Sequence, residues 1–150
     1  MNADTKPDAH GDADVLAPGL KIDRQLDPDI VIMADPDLMR QVLQNLLSNA
    51  IKYNRPDGLI RLTLSRKAGQ AVFSIGNTTP PSLRLDGKLL FTRFYRGDSS
   101  RSRHIDGVGL GLSLSREIVL AHHGSLALEE SKEDWVSFTL MLPASTDQNV

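Results

Sequence analysis

The chain of 150 residues is 40% hydrophobic and 24% charged, and its formal net charge is -2. These values are typical of one soluble globular domain with a sizeable core, and they exclude the basic excess of a nucleic-acid-binding protein. The absence of cysteine excludes disulfides and cysteine-based zinc sites. No apolar run is long enough to cross a bilayer and the N-terminus lacks the pattern of a secretion signal, so we expect any membrane anchor of a parent protein to lie elsewhere.

The N-terminal part begins without periodicity. Residues 1–18 are rich in Asp, Ala and Pro, and we expect them to form a flexible linker or tail. Two short apolar runs follow, Lys21 to Leu26 and Ile30 to Ala34, on either side of Asp27-Pro28-Asp29. Their composition and the turn residues between them predict a hairpin-like pair of strands.

A well-marked helix comes next. Asp35 is placed to cap its N-terminus, Pro36 suits its first position, and residues 54–58 form a stop signal, so we predict a helix from Pro36 to about Tyr53. Its apolar residues form two adjoining stripes, Leu38-Val42-Leu46-Ala50 and Met39-Leu43-Leu47-Ile51. These stripes are predicted to pack on the core.

Another face of this helix is polar in a way that packing does not require. Gln41, Asn45 and Asn49 lie above one another at four-residue spacing, and Lys52 and Tyr53 follow one turn on. Each asparagine inside the helix costs roughly a few tenths of a kcal/mol. Amide oxygens suit magnesium and a nearby lysine can meet phosphate. The alternative is an ordinary solvated face.

The middle of the chain predicts strands. Residues 59–66 and 70–75 alternate apolar and polar side chains and are joined by a short turn at 67–69. The polar residues from Gly76 to Pro81 are expected to form a stiff loop that ends the second strand.

A short helix and a basic loop are predicted after these strands. Residues 83–96 carry apolar side chains at roughly helical spacing, including Phe91 and Phe94. The segment 96–106 has almost nothing to bury, so we expect it to be mobile. Three arginines in it could clamp a phosphate tail, namely Arg96, Arg101 and Arg103.

A glycine-rich stretch follows directly. Gly107, Gly109 and Gly111 stand at alternate positions before an apolar run with helical spacing over 110–122, which predicts a glycine-rich loop opening a helix. Glycine lets a ligand approach the backbone, and a helix start offers unpaired N–H groups and a positive dipole end, so a phosphate fits there. The alternative is a tight turn whose glycines only permit close packing.

The C-terminal part predicts a second strand pair. Gly124-Ser125 is expected to form a C-cap turn, residues 126–129 and 136–142 to form strands, and the chain from Pro143 onward to fray. At the helix end, His122 and His123 are expected to favour the dipole and cap carbonyls.

The chemical motifs occur in a fixed order: Asn45-x-x-x-Asn49-Ala50-x-Lys52-Tyr53, Asn77, Phe91-Thr92-Arg93-Phe94-Tyr95-Arg96, Ser100-Arg101, Gly107-x-Gly109-Leu110-Gly111-Leu112 and Gly124. This order resembles the catalytic, ATP-binding domain of bacterial sensor histidine kinases, which belongs to the Bergerat-type ATPases of gyrase, mismatch-repair and heat-shock-chaperone type. The resemblance covers residues 19–143, between tails at 1–18 and 144–150. It implies a two-layer α/β sandwich, with a mixed sheet, helices on one face and a mobile ATP lid at Gly97 to Ile105.

The resemblance also implies roles for individual residues. Asn49 matches the magnesium ligand, Asn45 lies close to the metal and the phosphates, Lys52 meets the phosphates and Tyr53 flanks the nucleotide. Catalytic roles are implied for Asn45, Lys52, Arg96 and Arg101. Further nucleotide contacts are implied for Asn77, Phe94, Arg96, Arg101, Gly107, Val108, Gly109, Leu110, Gly111, Leu112 and Ser125.

One segment departs from the family pattern. Where the family commonly has Asp-x-Gly-x-Gly, this chain has Asn77-Thr78-Thr79-Pro80-Pro81. The family aspartate accepts a hydrogen bond from the adenine amino group. The amide oxygen of Asn77 can also accept, in a bond weaker by roughly 1 kcal/mol, and the loop without glycines is stiffer. We expect adenine recognition to be weakened and not abolished.

The residue type at position 45 distinguishes ATP hydrolysis from phosphoryl transfer to a protein. Relatives that hydrolyse ATP have at this place a glutamate that activates water, and an amide cannot act as a base. Phosphoryl transfer needs chiefly positioning and charge neutralisation. The resemblance therefore implies a kinase that passes the γ-phosphate of Mg-ATP to a histidine. An anti-sigma-type serine kinase, or a degenerate module for protein interaction or nucleotide sensing, are the alternatives.

The implied partners follow from the same resemblance. They are the dimerisation domain that carries the phosphoacceptor histidine and a cognate response regulator. No histidine in this chain shows the His-Glu phosphoacceptor pattern. We therefore expect the isolated chain to be a monomer that binds nucleotide without phosphorylating itself, and to be the cytoplasmic part of an inner-membrane receptor kinase.

Overall fold

A computed structural model of the chain describes residues 19–80 and 106–145. Within these ranges the elements are, in chain order, β1 (Lys21–Leu26), α1 (Pro36–Lys52), β2 (Leu59–Lys67), β3 (Gln70–Thr78), α2 (Asp106–Ala121), β4 (Ser125–Lys132) and β5 (Trp135–Pro143). The short helix predicted at 83–96, the basic loop at 96–105 and the N-terminal linker lie outside the described residues. In the described ranges no helix is long and apolar enough to cross a membrane.

The strands form one mixed sheet in the order β1-β2-β3-β5-β4. The pair β1 and β2 is parallel, and the other neighbours are antiparallel. In register across β2, β3 and β5, Leu62, Ile75 and Phe138 face a core that both helices share. The residues beside them in sequence, Thr63, Ser74 and Thr139, alternate to the other face. The predicted α/β fold with a mixed sheet is confirmed.

The predicted hairpin between residues 21–26 and 30–34 is wrong. Strand β1 pairs with β2 instead, and Ile32 makes only an isolated bridge to Ala144. Parallel neighbours need a long crossover, which α1 provides here. Alternation of apolar and polar side chains indicates a strand, but it does not indicate which strand it pairs with. The prediction therefore paired residues 21–26 with the apolar run nearest in the sequence.

Helix α1 begins as predicted. The Asp35 carboxylate accepts hydrogen bonds from the backbone N–H groups of Asp37 and Leu38 at 2.9 and 3.0 Å. The buried stripe consists of Met39, Val42, Leu46 and Ala50. Leu38, which the first predicted stripe contained, is 39% exposed. The buried stripe therefore begins at Met39 and not at Leu38.

Strand β3 runs three residues further than predicted, through Gly76, Asn77 and Thr78. A Cβ on Gly76 would lie 2.4 Å from a ring carbon of Trp135 on β5. The glycine thus makes room for the indole, over which the Arg61 guanidinium lies 5.4 Å from the ring centre. The expectation that Gly76 starts a loop is wrong, because the partner strand supplies a reason for the glycine that local sequence does not show.

Helix α2 ends in a turn at His122 and His123, two residues before the predicted Gly124-Ser125 turn. The N–H groups of Gly124 and His123 donate to the carbonyls of Val119 and Leu120, both at 3.0 Å, which is the Schellman pattern. The left-handed residue is His123, with φ 67°. Gly124 is required for another reason, since a Cβ there would lie 2.1 Å from the Met141 carbonyl oxygen.

The imidazole of His122 connects the two helices. Its Nδ1 donates to the Ile118 carbonyl at 2.8 Å, and its Nε2 accepts from the backbone N–H of Asp35 at 3.2 Å. The predicted interaction with a cap carbonyl is confirmed for His122. The bond to Asp35 adds a contact between the end of α2 and the start of α1.

Candidate functional site

The polar row predicted on α1 lies at the edge of the buried stripe. Asn45 and Asn49 are half-buried, whereas Gln41 and Lys52 are exposed. Tyr53 is the C-cap residue, and its backbone N–H donates to the Asn49 carbonyl at 3.0 Å. The two asparagines and Tyr53 are therefore the half-buried members of the row, and Gln41 and Lys52 are its exposed members.

Asn45 is held by α2. Its Nδ2 donates to the Ser115 hydroxyl at 3.0 Å, and Ser115 is fully buried. The amide also lies against Gly111, where a Cβ would stand 3.6 Å from Cγ and Nδ2 and 3.7 Å from Oδ1. Ser115 was not among the predicted site residues, although its position one turn after Gly111 places both residues on one helical face.

The glycine run is helical from its first residue. Helix α2 starts at Asp106, so Gly107, Gly109 and Gly111 belong to its first turns. The prediction of a glycine-rich loop ahead of the helix is wrong, because the helix is four residues longer than its apolar spacing indicated. The backbone of Val108 and Leu110 lies in the same turns. The side chain of Leu112 is buried in the core, so a nucleotide contact from it would come from the backbone.

The far end of the row meets the end of β3 through Asn54. The Asn54 Nδ2 donates to the carbonyls of Ala50 and Leu59 at 3.2 and 3.1 Å. Its Oδ1 accepts from the Thr78 hydroxyl and from the Arg55 N–H. One amide thus joins the C-terminus of α1 to the start of β2 and the end of β3. From the sequence, Asn54 was predicted only to belong to the segment that ends helix α1.

Asn77 sits on this strand end beside Thr78. It is 4% exposed, and its Nδ2 donates to the Thr78 carbonyl at 2.8 Å. With the amide nitrogen bonded to backbone, the oxygen is the end of Asn77 suited to accept from a ligand. The next residue, Thr79, is buried as well, and its N–H donates to the Asp134 carbonyl at 3.1 Å.

The structure thus brings together Asn45 and Gly111 across the two helices, and joins the end of α1 to the strand that carries Asn77. Ser125 is placed elsewhere. It pairs with Met141, whereas Asn77 pairs with Val136, five residues along β5 and about 17 Å away at the usual rise of a strand. Phe94, Arg96 and Arg101 lie outside the described residues.

The side-chain oxygens at this site suit a metal ion that takes most of its ligands from substrate and water. In the described part of the chain, no group of three or more His, Cys, Asp or Glu side chains could hold a metal ion. Magnesium commonly takes one or two protein oxygens together with substrate phosphates and water. The side-chain oxygens of the half-buried asparagines on α1 fit such a site.

Comparison with known proteins decides the family. Residues 34–146 match the family described as histidine kinase-, DNA gyrase B- and HSP90-like ATPases. The chain belongs to this family. It is 35% identical over 128 residues to the circadian input-output histidine kinase CikA of Synechococcus elongatus, covering 85% of this chain and 17% of CikA.

Two further comparisons agree with this membership. The chain is 32% identical over 129 residues to the signal transduction histidine-protein kinase BaeS of Escherichia coli K12, covering 86% of the chain and 28% of BaeS. The mycobacterial sensor histidine kinase MprB has the same fold, with a TM-score of 0.74, 22% identity and 91% of each chain covered. The chain thus spans less than a third of CikA or BaeS.

Proposed function

We propose that this chain is the ATP-binding catalytic domain of a sensor histidine kinase, which transfers the γ-phosphate of Mg-ATP to a histidine on a separate dimerisation domain. The observation that carries the proposal is the Asn45–Ser115 bond, which holds a half-buried asparagine of α1 against the glycine-bearing helix α2. Membership of the ATPase family and likeness to histidine kinases support the same reaction.

Different residues would bind the metal, the phosphates and the adenine of Mg-ATP. Asn49 would hold magnesium through its side-chain oxygen, Asn45 would lie beside it, and exposed Lys52 would reach the phosphates. Asn77 would accept a hydrogen bond from the adenine. When bound, magnesium would neutralise phosphate charge. The backbone N–H groups at the start of α2 would add a positive dipole end near the phosphates.

Transfer to a protein is favoured over hydrolysis. The amide of Asn45 cannot take a proton from water, and its nitrogen is bonded to Ser115. Without a base to activate water, the site would mainly position the phosphate and neutralise its charge, which phosphoryl transfer requires. We infer that the acceptor and the response regulator are separate partners, and that the parent kinase is a membrane receptor.

The histidines of the described ranges are poor acceptors. Both ring nitrogens of His122 are bonded to backbone groups, and His123 is followed by Gly124 where the phosphoacceptor pattern has glutamate. We therefore expect no label on the isolated chain after incubation with γ-labelled ATP. Incorporation of label into this chain alone would contradict the assignment of the acceptor to another domain.

The proposal is tested by calorimetric titration with a non-hydrolysable ATP analogue, in magnesium and in chelator. Binding should weaken when magnesium is removed. Asn49→Ala should lower the affinity in magnesium about tenfold, the size expected for losing a contact to a charged group, and should have little effect in chelator. Gln44→Ala is the matched control, since it removes an exposed amide from the same helix.

A second candidate is a degenerate module that binds a protein partner. It is favoured by one observation, the fixed backbone of Thr79, whose N–H donates to the Asp134 carbonyl and whose carbonyl accepts from Arg55 at 3.4 Å. Absence of nucleotide binding in both magnesium and chelator would contradict the kinase proposal and favour this candidate.

A further inference from the structure

The amide of Asn45 has two chemically different ends, and a half-turn about its last side-chain bond exchanges them. Only the oxygen end can ligate a cation or accept a hydrogen bond. On a solvated helix face both orientations are open to an asparagine. The usefulness of Asn45 in a magnesium and phosphate site therefore depends on what fixes its amide.

The contacts with α2 fix the amide in two ways. The Ser115 hydroxyl, fully buried, takes the Nδ2 edge at 3.0 Å. A Cβ on Gly111, one turn earlier, would lie at nearly equal distances from Cγ, Nδ2 and Oδ1, so the flat amide lies against α2 with both of its edges. Packing sets the plane of the amide, and the hydrogen bond to Ser115 engages its Nδ2 and leaves Oδ1 without a bond to that hydroxyl.

We propose that Ser115 is a positioning residue that holds the Asn45 amide through its Nδ2 and so leaves the Asn45 oxygen available to the Mg-ATP site. This inference rests on the proposed function, because it assigns Asn45 to that site. Ser115 does not touch the nucleotide itself. It acts through Asn45 and links the orientation of that amide to the helix that begins with the glycine run.

The test compares Ser115→Thr with Ser115→Val. The two replacements have the same shape and crowd the core equally, and they differ in that threonine keeps the hydroxyl. Titration of each chain with the non-hydrolysable ATP analogue gives the ratio of its dissociation constants in chelator and in magnesium. We expect the ratio for the threonine variant to stay near that of the natural chain. For the valine variant, we expect the ratio to be about three- to tenfold smaller.

Two measurements separate positioning from general damage. Thermal unfolding of the threonine and valine variants checks that both are folded. Asn45→Ala should give the same loss of magnesium dependence, and adding Ser115→Val to it should cause no further loss, since both changes remove one interaction. Ser48→Ala, an exposed serine of α1, is the control for serine removal.

The outcomes distinguish this inference from the proposed function. If the natural chain binds with magnesium dependence and the valine and threonine variants behave alike, Ser115 does not position Asn45, while the proposed function stands. Additive losses in the Asn45 and Ser115 double variant would also overturn the inference. If the natural chain binds no nucleotide, the proposed function fails first.

Discussion

At the residue scale, His123 occupies a backbone position that usually belongs to glycine. Its φ of 67° places a branched ring system in the left-handed region, and Gly124 beside it is needed for close approach to Met141. For a residue with a Cβ the left-handed conformation costs about 1 kcal/mol. The glycine that could adopt this conformation without the cost, Gly124, stands one position after His123.

His123→Gly is therefore expected to raise the free energy of unfolding by about 1 kcal/mol. Urea denaturation monitored by circular dichroism measures the change. His123→Ala keeps the Cβ and serves as the control, for which we expect little gain. Equal stabilities of the glycine and alanine variants would show that the left-handed backbone is not the source of the cost.

Single residues also show where sequence reasoning stopped. Asn45 and Asn49 stay predictions as site residues, made because local sequence gives no reason for amides at the edge of an apolar stripe, and the structure adds for Asn45 a contact with α2. Ser115 and Gly76 could not be selected from the sequence, because each is explained by a partner far away in the chain, Asn45 and Trp135 respectively. Such pairings depend on tertiary contacts that local spacing does not contain.

At the scale of elements, the start of α1 is held from two sides. The Asp35 carboxylate caps the helix, and the Asp35 N–H donates to His122 at the end of α2. Helix α1 was predicted closely because cap, proline and apolar spacing agree. Strand β1 was predicted as a strand with the wrong partner, because its pairing is completed only after α1 has crossed over the sheet.

Asp35→Ala should destabilise the chain by about 1 kcal/mol, since the N–H groups of Asp37 and Leu38 lose their acceptor. Asp35→Ser should retain most of the stability, because serine also caps. Asp37→Ala is the control, as it removes an exposed first-turn acid whose partner is the neighbouring Arg40. Thermal unfolding compares the three, and an alanine variant at position 35 as stable as the natural chain would contradict the cap.

At the scale of the whole molecule, the sheet order places β2, β3 and β5 in the interior, with β3 at the centre, and β1 and β4 at the edges. Local opening should therefore begin at the edges. Native-state hydrogen exchange is expected to show the slowest amides in β2, β3 and β5, and faster exchange in the edge strands. Faster exchange in β3 than in β1 would show that stability is not arranged by sheet position.

The register of the sheet has one consequence for how a second domain would be presented to this one. Ile22 near the beginning of β1 pairs with Ile60, which pairs with Asn77, so the chain enters β1 at the end of the sheet that carries Asn77. A domain joined ahead of residue 19 by a short flexible tether would be kept there at a millimolar effective concentration. If that domain carries the acceptor histidine proposed above, the delivery of this histidine would depend strongly on tether length.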